Sequence, residues 1–301
     1  MAVIQTQALT KRYDESLGIQ DVNLSVKEGE IFGFLGPNGA GKTTTIRLLL
    51  DLMNPTSGQV RLFGQTVNRK DRTLFSQVGY LPGELRMHEH MTGQQTLGYL
   101  GRFQNTQGPV RRRELLAALD LAPTKLKQPL RTYSQGMKRK IGIVQAMQHD
   151  PRLLILDEPT DGLDPLMKQS FYHLLRDYRE RGGTVFMSSH ILPEVETICD
   201  RVALIREGSI VAVEEVADLQ RRHTRRLRLV TETPLDASRL LQPGVTVKRQ
   251  EGTTTILLVS ALVRIPALLA TLARLDILDM TFEDAKLEDF FMQYYEEDYC
   301  A

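Results

Sequence analysis

Gly36-Pro37-Asn38-Gly39-Ala40-Gly41-Lys42-Thr43 fills every fixed position of the phosphate-binding loop pattern G-x-x-x-x-G-K-[S/T]. The residue types follow from the chemistry of holding a polyphosphate. Glycines let consecutive backbone N–H groups turn inward around an anion, where a side chain would block the approach. Lys42 brings a point charge to the β- and γ-phosphates, and the Thr43 hydroxyl is a ligand for Mg²⁺. Residues 30–35, Glu-Ile-Phe-Gly-Phe-Leu, read as a buried strand entering the loop. Residues 44–53 read as a helix, with Ile46, Leu49, Leu50 and Met53 at helical spacing and Asn54-Pro55 ending it. The N-terminus of that helix then faces the phosphates, so Thr44 joins residues 36–43 as a nucleotide-binding candidate. The stretch predicts a nucleoside triphosphate site.

Composition sets the frame. A chain of 301 residues accommodates one large domain and a smaller one. A net charge of +1 gives no global attraction to nucleic acid or to an anionic membrane, so direct nucleic-acid binding is not expected. The two cysteines, Cys199 and Cys300, form no disulfide framework and lack metal-ligand spacing, which suits a reducing cytosol. No stretch reaches the roughly 18 apolar residues of a membrane span, and the first residues lack the basic and apolar regions of a signal peptide. The expectation is a soluble chain whose membrane role comes through a partner.

The order of elements points to an α/β fold. Residues 3–9, 19–26, 30–35 and 59–63 read as strands, and 85–127 as a helical region. That region includes capping-box spacing at Thr92-Gly93-Gln94-Gln95 and an amphipathic run at 111–119. A helix after Ser134, a strand at 153–156, a helix at 167–181 and a strand at 184–188 then imply a parallel sheet with crossover helices. The basic run Arg221-Arg222-His223-Thr224-Arg225-Arg226 marks a boundary, read as a linker rather than a nucleic-acid patch. Beyond it, strands at 227–230, 245–247 and 254–259, a helix carrying Leu268, Leu269, Leu272 and Leu275, a strand at 277–282 and a helix at 287–295 read as a small α+β domain. The domains are placed at 1–218 and 219–301.

Leu153-Leu154-Ile155-Leu156-Asp157-Glu158 is an apolar strand ending in two carboxylates, the place where an α/β sheet carries its ligand chemistry. Asp157 is suited to hold Mg²⁺ through its water shell. Glu158 is suited to orient or deprotonate an attacking water. A turn before Pro159 would also suit these residues, and the phosphate loop decides for the catalytic reading.

Further motifs flank this pair. Tyr133-Ser134-Gln135-Gly136-Met137 lies upstream, and Asp161-Gly162-Leu163-Asp164-Pro165 and Ser188-Ser189-His190 lie downstream. The ordered set resembles the ATP-binding subunit of ABC transporters: phosphate loop, signature, Walker B, D-loop and H-loop, over about the first 218 residues. The resemblance implies a P-loop NTPase core with a β-rich subdomain and a helical signature subdomain, hydrolysing ATP with Mg²⁺. It implies that Tyr13 stacks on adenine and that Ser134 and Gly136 contact the γ-phosphate bound by the opposite subunit. Asp164 then lies at a dimer interface, and His190 is the switch histidine beside the γ-phosphate. The catalytic set becomes Lys42, Glu158 and His190. The implied partners are a second ATPase subunit and an integral membrane permease, with the chain peripheral on the inner face of the membrane.

Two departures stand out. The signature has Tyr-Ser-Gln-Gly-Met where the family typically has Leu-Ser-Gly-Gly-Gln, with the serine and second glycine kept. Gly83, after Gly79-Tyr80-Leu81-Pro82, stands where the family usually places a glutamine, and Glu84 is the neighbouring candidate to replace it. The signature and the C-terminal Leu287-Glu288-Asp289-Phe290-Phe291 are similar to the drug- and antibiotic-exporter branch. The competing expectation is a soluble ABC ATPase acting on nucleic acid or the ribosome.

Overall fold

The computed structural model describes residues 1–13, 16–68, 70–102, 110–222, 225–235, 240, 243–260 and 263–283. The chain divides into two compact units, Met1–Glu214 and Glu215–Ala301.

In the first unit, β1 (Ala2–Tyr13) and β2 (Ser16–Lys27) form a long antiparallel pair. β4 (Ser57–Leu62) and β5 (Gln65–Thr66) extend it, in the order β2-β1-β4-β5. A second sheet is built around β3 (Ile31–Leu35), whose five residues are all buried, as a central parallel strand requires. Its order is β10-β9-β3-β8-β7-β6. The strands are β6 (Val78–Leu81), β7 (Leu153–Leu156), β8 (Thr184–Ser189), β9 (Arg201–Arg206) and β10 (Ser209–Glu215). β3 pairs in parallel with β8 and β9, and the pairs β6–β7 and β7–β8 are parallel as well. β9 and β10 are joined by Glu207-Gly208, both at positive φ, the two-residue turn that links antiparallel strands.

The core forms where the two sheets and α1 (Lys42–Leu49) meet. Ile4, Leu9, Ile19 and Val22 of the first sheet pack with Phe32, Phe34 and Phe186 of the second and with Ile46 and Leu49 of α1. Phe32 and Phe186 stack at 5.9 Å. α1 starts two residues earlier than the sequence predicts and stops at Leu49, because Asp51 turns the backbone left-handed at φ 52°. Short elements the sequence reading missed complete the unit: α2 (Arg72–Ser76), β6, α8 (Leu192–Ile198), β9 and β10. Runs of four to seven residues carry no periodicity long enough to separate strand from helix.

Among the described residues, the helical region contains α3 (Gly93–Gly101), α4 (Arg112–Ala118) and α5 (Pro123–Leu126). The capping box is present: Thr92 Oγ1 accepts from Gln95 N (3.1 Å), and Thr92 N donates to Gln95 Oε1 (2.8 Å). α6 (Gln135–Met147) begins at Ser134 and packs on β6, where a Cβ on Gly142 would lie 2.7 Å from Leu81 Cδ1. α7 (Pro165–Glu180) is capped by Asp164, whose Oδ1 accepts from Met167 N at 3.0 Å.

The second unit has α9 (Val216–Arg222) and a four-stranded sheet in the order β12-β13-β11-β14. The strands are β11 (Arg225–Thr231), β12 (Val245–Glu251), β13 (Thr254–Val259) and β14 (Ile277–Glu283), and every pairing between them is antiparallel. Leu227, Leu229, Leu257 and Val259 pack against Leu268 and Leu272 of α10 (Ile265–Leu272), giving an α+β core of its own. The helix read at 287–295 and the Leu287–Phe291 ending lie outside the described residues. Among the described residues no helix is long and apolar enough to cross a membrane.

Candidate nucleotide site

The C-terminal ends of four parallel strands deliver the candidate residues to one edge of the sheet. β3 leads into the loop 36–43, β6 into Pro82-Gly83, β7 into Asp157-Glu158 and β8 into His190. Crevices at such edges are where open α/β sheets bind ligands.

The loop depends on its glycines. A Cβ on Gly36 would lie 2.3 Å from Ile205 O, and Gly41 sits at φ 106°, with a hypothetical Cβ 2.6 Å from Ile19 Cγ2. Gly41 offers α1 no side-chain cap, so the first amides of the helix are left to an anion. Lys42 is 5% exposed. Its ammonium donates to the carbonyls of Gly36 (2.7 Å) and Pro37 (3.0 Å) and lies 3.3 Å from Glu158 Oε1. The charge is thus held inside the loop that a triphosphate would fill.

Asp157 is buried and doubly held. Thr43 Oγ1 donates to its Oδ2 at 2.9 Å, and Ser188 Oγ donates to its Oδ1 at 2.6 Å. A hydroxyl and a carboxylate side by side at the loop are hard oxygen donors, a set that fits Mg²⁺ with most of its water shell kept.

Glu158 carries three constraints. Its backbone is left-handed at φ 47°, a conformation that costs a non-glycine residue roughly 1–3 kcal/mol. Its N–H donates to Ser188 Oγ at 2.9 Å, and its Oε2 lies 3.0 Å from His190 Nδ1. Burial works to raise the Glu158 pKa, but Lys42 and His190 beside it outweigh burial and hold the carboxyl below its ordinary value. Asp161, close enough for its carboxylate to meet Glu158 and His190 within 4.8 Å, moves the other way. Burial and the neighbouring Glu158 carboxylate raise its pKa. The Lys42 ammonium lies against Glu158, so Glu158 is the carboxyl that gives up its proton more readily and Asp161 the one that resists.

Tyr13, at the end of β1, is 39% exposed, with its hydroxyl 3.2 Å from Met53 Sδ and 3.5 Å from Thr44 Oγ1. The structure therefore brings it to the first turn of α1. Ser134 and Gly136 lie elsewhere: among the described residues no hydrogen bond joins them to residues 36–43. Ser134 is exposed and caps α6, accepting from Met137 N at 3.3 Å. A Cβ on Gly136 would lie 2.8 Å from Gly162 O, so the signature abuts the segment between Glu158 and Asp164. Glu84 is not brought to the site. Its side chain is 77% exposed and pairs with Arg86 at 3.2 Å.

Sequence reasoning missed two residues. In the sequence Ser188 stands only as part of Ser188-Ser189-His190, yet it bridges Asp157 and Glu158. Arg139 sits in the basic triplet Lys138-Arg139-Lys140, directly after the Tyr133–Met137 motif, yet it is 3% exposed. The signal was its spacing, since Arg139 shares a helical stripe with buried Gly142, Ile143 and Ala146.

A family model described as ABC transporter matches residues 19–161. The bacitracin transport ATP-binding protein BcrA of Bacillus licheniformis is 32% identical over 97% of this chain and 96% of its own length. Its namesake in Enterococcus faecalis is 38% identical over 73% of this chain and 72% of its own. The linearmycin resistance ATP-binding protein LnrL of Bacillus subtilis is 34% identical over 72% and 70%. A solved ATP-binding subunit of an ABC transporter, 29% identical, superposes with a TM-score of 0.67 over 73% of this chain and 92% of that one. With the loop, the strand-end carboxylates and the histidine meeting at one sheet edge, the chain belongs to the ATP-binding subunits of ABC transporters.

Proposed function

We propose that this chain hydrolyses MgATP to drive export of a small, amphipathic, antibiotic-like molecule through a separately encoded integral membrane permease, working in a dimer of ATPase subunits at the cytoplasmic face. The observation that carries the hydrolytic part is the position of Glu158 between Lys42 and His190, 3.3 and 3.0 Å away. The export part is supported by the likeness to bacitracin and linearmycin transport proteins.

In this reading the loop amides and Lys42 bind and orient the phosphates. Thr43 and Asp157 would hold Mg²⁺, which would supply positive charge to the phosphates. Glu158, its pKa held down by Lys42, accepts the proton of the attacking water, and His190 fixes the carboxylate's orientation. Tyr13 stacks on the adenine, and Ser134 and Gly136 serve the site of the opposite subunit. The small α+β unit is an accessory to this engine.

Copurification tests the assignment. The tagged chain, extracted from its native membranes in mild detergent, is expected to bring down an integral membrane protein and to hydrolyse ATP. Recovery with ribosomes or nucleic acid instead, and no membrane protein, would replace transport with the soluble alternative.

A further inference from the structure

Arg139 is a buried cation, and among the described residues no carboxylate is hydrogen-bonded to it. Its fork is spent on backbone. Nε donates to Pro159 O (3.1 Å), and Nη1 donates to Pro82 O (2.8 Å) and Gly83 O (3.0 Å). Nη2 donates to Asp157 O (3.1 Å) and to Glu158 O. A guanidinium has five N–H donors in a rigid plane, and five carbonyls take them. Burial pulls the guanidinium pKa down, opposed by the nearby charges of Asp161, Asp157 and Glu158.

The five carbonyls belong to two separate strand ends. Pro82 and Gly83 follow β6; Asp157, Glu158 and Pro159 follow β7. Gly83 lies against the site, because a Cβ there would be 3.3 Å from Asp157 Oδ2. Arg139 itself rides on α6, the helix that starts at Ser134. Glu158 is the residue in need of support, since its left-handed backbone is held at the N–H by Ser188 and at the carbonyl by Arg139.

We infer that Arg139 is a positioning residue for hydrolysis: it fixes the backbone of Glu158 and the Gly83 loop as one unit with α6, so that the carboxylate stays beside Lys42 and His190. The inference rests on the proposed role of Glu158 as base. Any shift of α6 at Ser134 is passed to the Glu158 carbonyl through a rigid plane of hydrogen bonds. A lysine cannot replace it, because an ammonium has three donors for five carbonyls and no planar fork.

The test is steady-state ATP hydrolysis by the full-length chain carrying Arg139→Lys, with Arg139→Gln as the second variant. Misplacement of a catalytic group by about 1 Å costs up to about 10²-fold. kcat is therefore expected to fall roughly 10- to 100-fold, while KM and the affinity for a fluorescent ATP analogue, both set by the Lys42 loop that takes none of the five Arg139 hydrogen bonds, stay within about twofold. A folded variant, shown by cooperative unfolding, that keeps wild-type kcat overturns the inference. So does a variant that loses analogue binding in proportion to kcat, which marks a general structural role. The underlying reading fails separately, if Glu158→Gln leaves wild-type hydrolysis intact.

Discussion

The Lys42 ammonium and the Glu158 carboxylate, 116 residues apart in the chain, lie 3.3 Å apart at the same sheet edge. The pair has two consequences. It places the phosphate-binding charge and the candidate base around one reaction volume. It also holds the Glu158 carboxyl below its ordinary pKa, against the burial that works to raise it. A base that must accept a proton from water is useful only in its ionised form.

Glu158→Gln keeps shape and hydrogen bonding but cannot accept the proton. Hydrolysis is expected to fall by roughly 10²–10⁴, with ATP affinity nearly unchanged. Phosphate release measured beside equilibrium nucleotide binding checks both. Undiminished turnover would move the base elsewhere.

Tyr13→Ala removes the ring beside the first turn of α1. Base stacking on an aromatic contributes about 1–3 kcal/mol, which corresponds to ATP binding weakened roughly 5- to 150-fold. Tyr13→Trp is expected to be tolerated. Calorimetry giving equal affinities for wild type and Tyr13→Ala would leave Tyr13 as a strand-end residue packed on Met53.

A composite site predicts complementation. Lys42→Ala disables its own loop, and Ser134→Arg puts bulk at the exposed cap of α6 without touching the loop of its own chain. Mixing the two inactive proteins is expected to regenerate one intact site and part of the activity. Wild-type ATPase is also expected to rise faster than linearly with protein concentration where the dimer forms. Specific activity that stays flat across that range, with monomer shown throughout by sedimentation, counts against the dimer.

Asp161 gives a pH-dependent stability. Burial and the Glu158 carboxylate raise its folded pKa, so the native state holds that proton more tightly than the unfolded chain does. Stability from this group is present below the unfolded value of about 3.9 and is lost as pH rises through the folded value. Asp161→Asn has no such loss, and its amide donates to Glu158. Its melting temperature is expected to exceed wild type at pH 8, with the gain shrinking as pH falls towards about 4. A variant less stable than wild type at pH 8 refutes the assignment.

The sequence by itself determined the loop, the strand before it, the helix after it, the capping box at Thr92 and the order of the motifs. Each is local: a glycine demanded by φ 106° at position 41, a cap three residues from its partner, an apolar strand ending in two acids. Spacing along the chain is enough to read such features. Tertiary structure decided the rest. That Lys42 meets Glu158, that Ser188 bridges Asp157 and Glu158, and that Glu84 turns to Arg86 all depend on strands brought together across the sheet. Arg139 is the clearest case. Its partners are backbone carbonyls, which every residue possesses, so no side-chain pattern at 82–83 or 157–159 announces them. Only the packing of α6 against β6 aims a guanidinium at five of them.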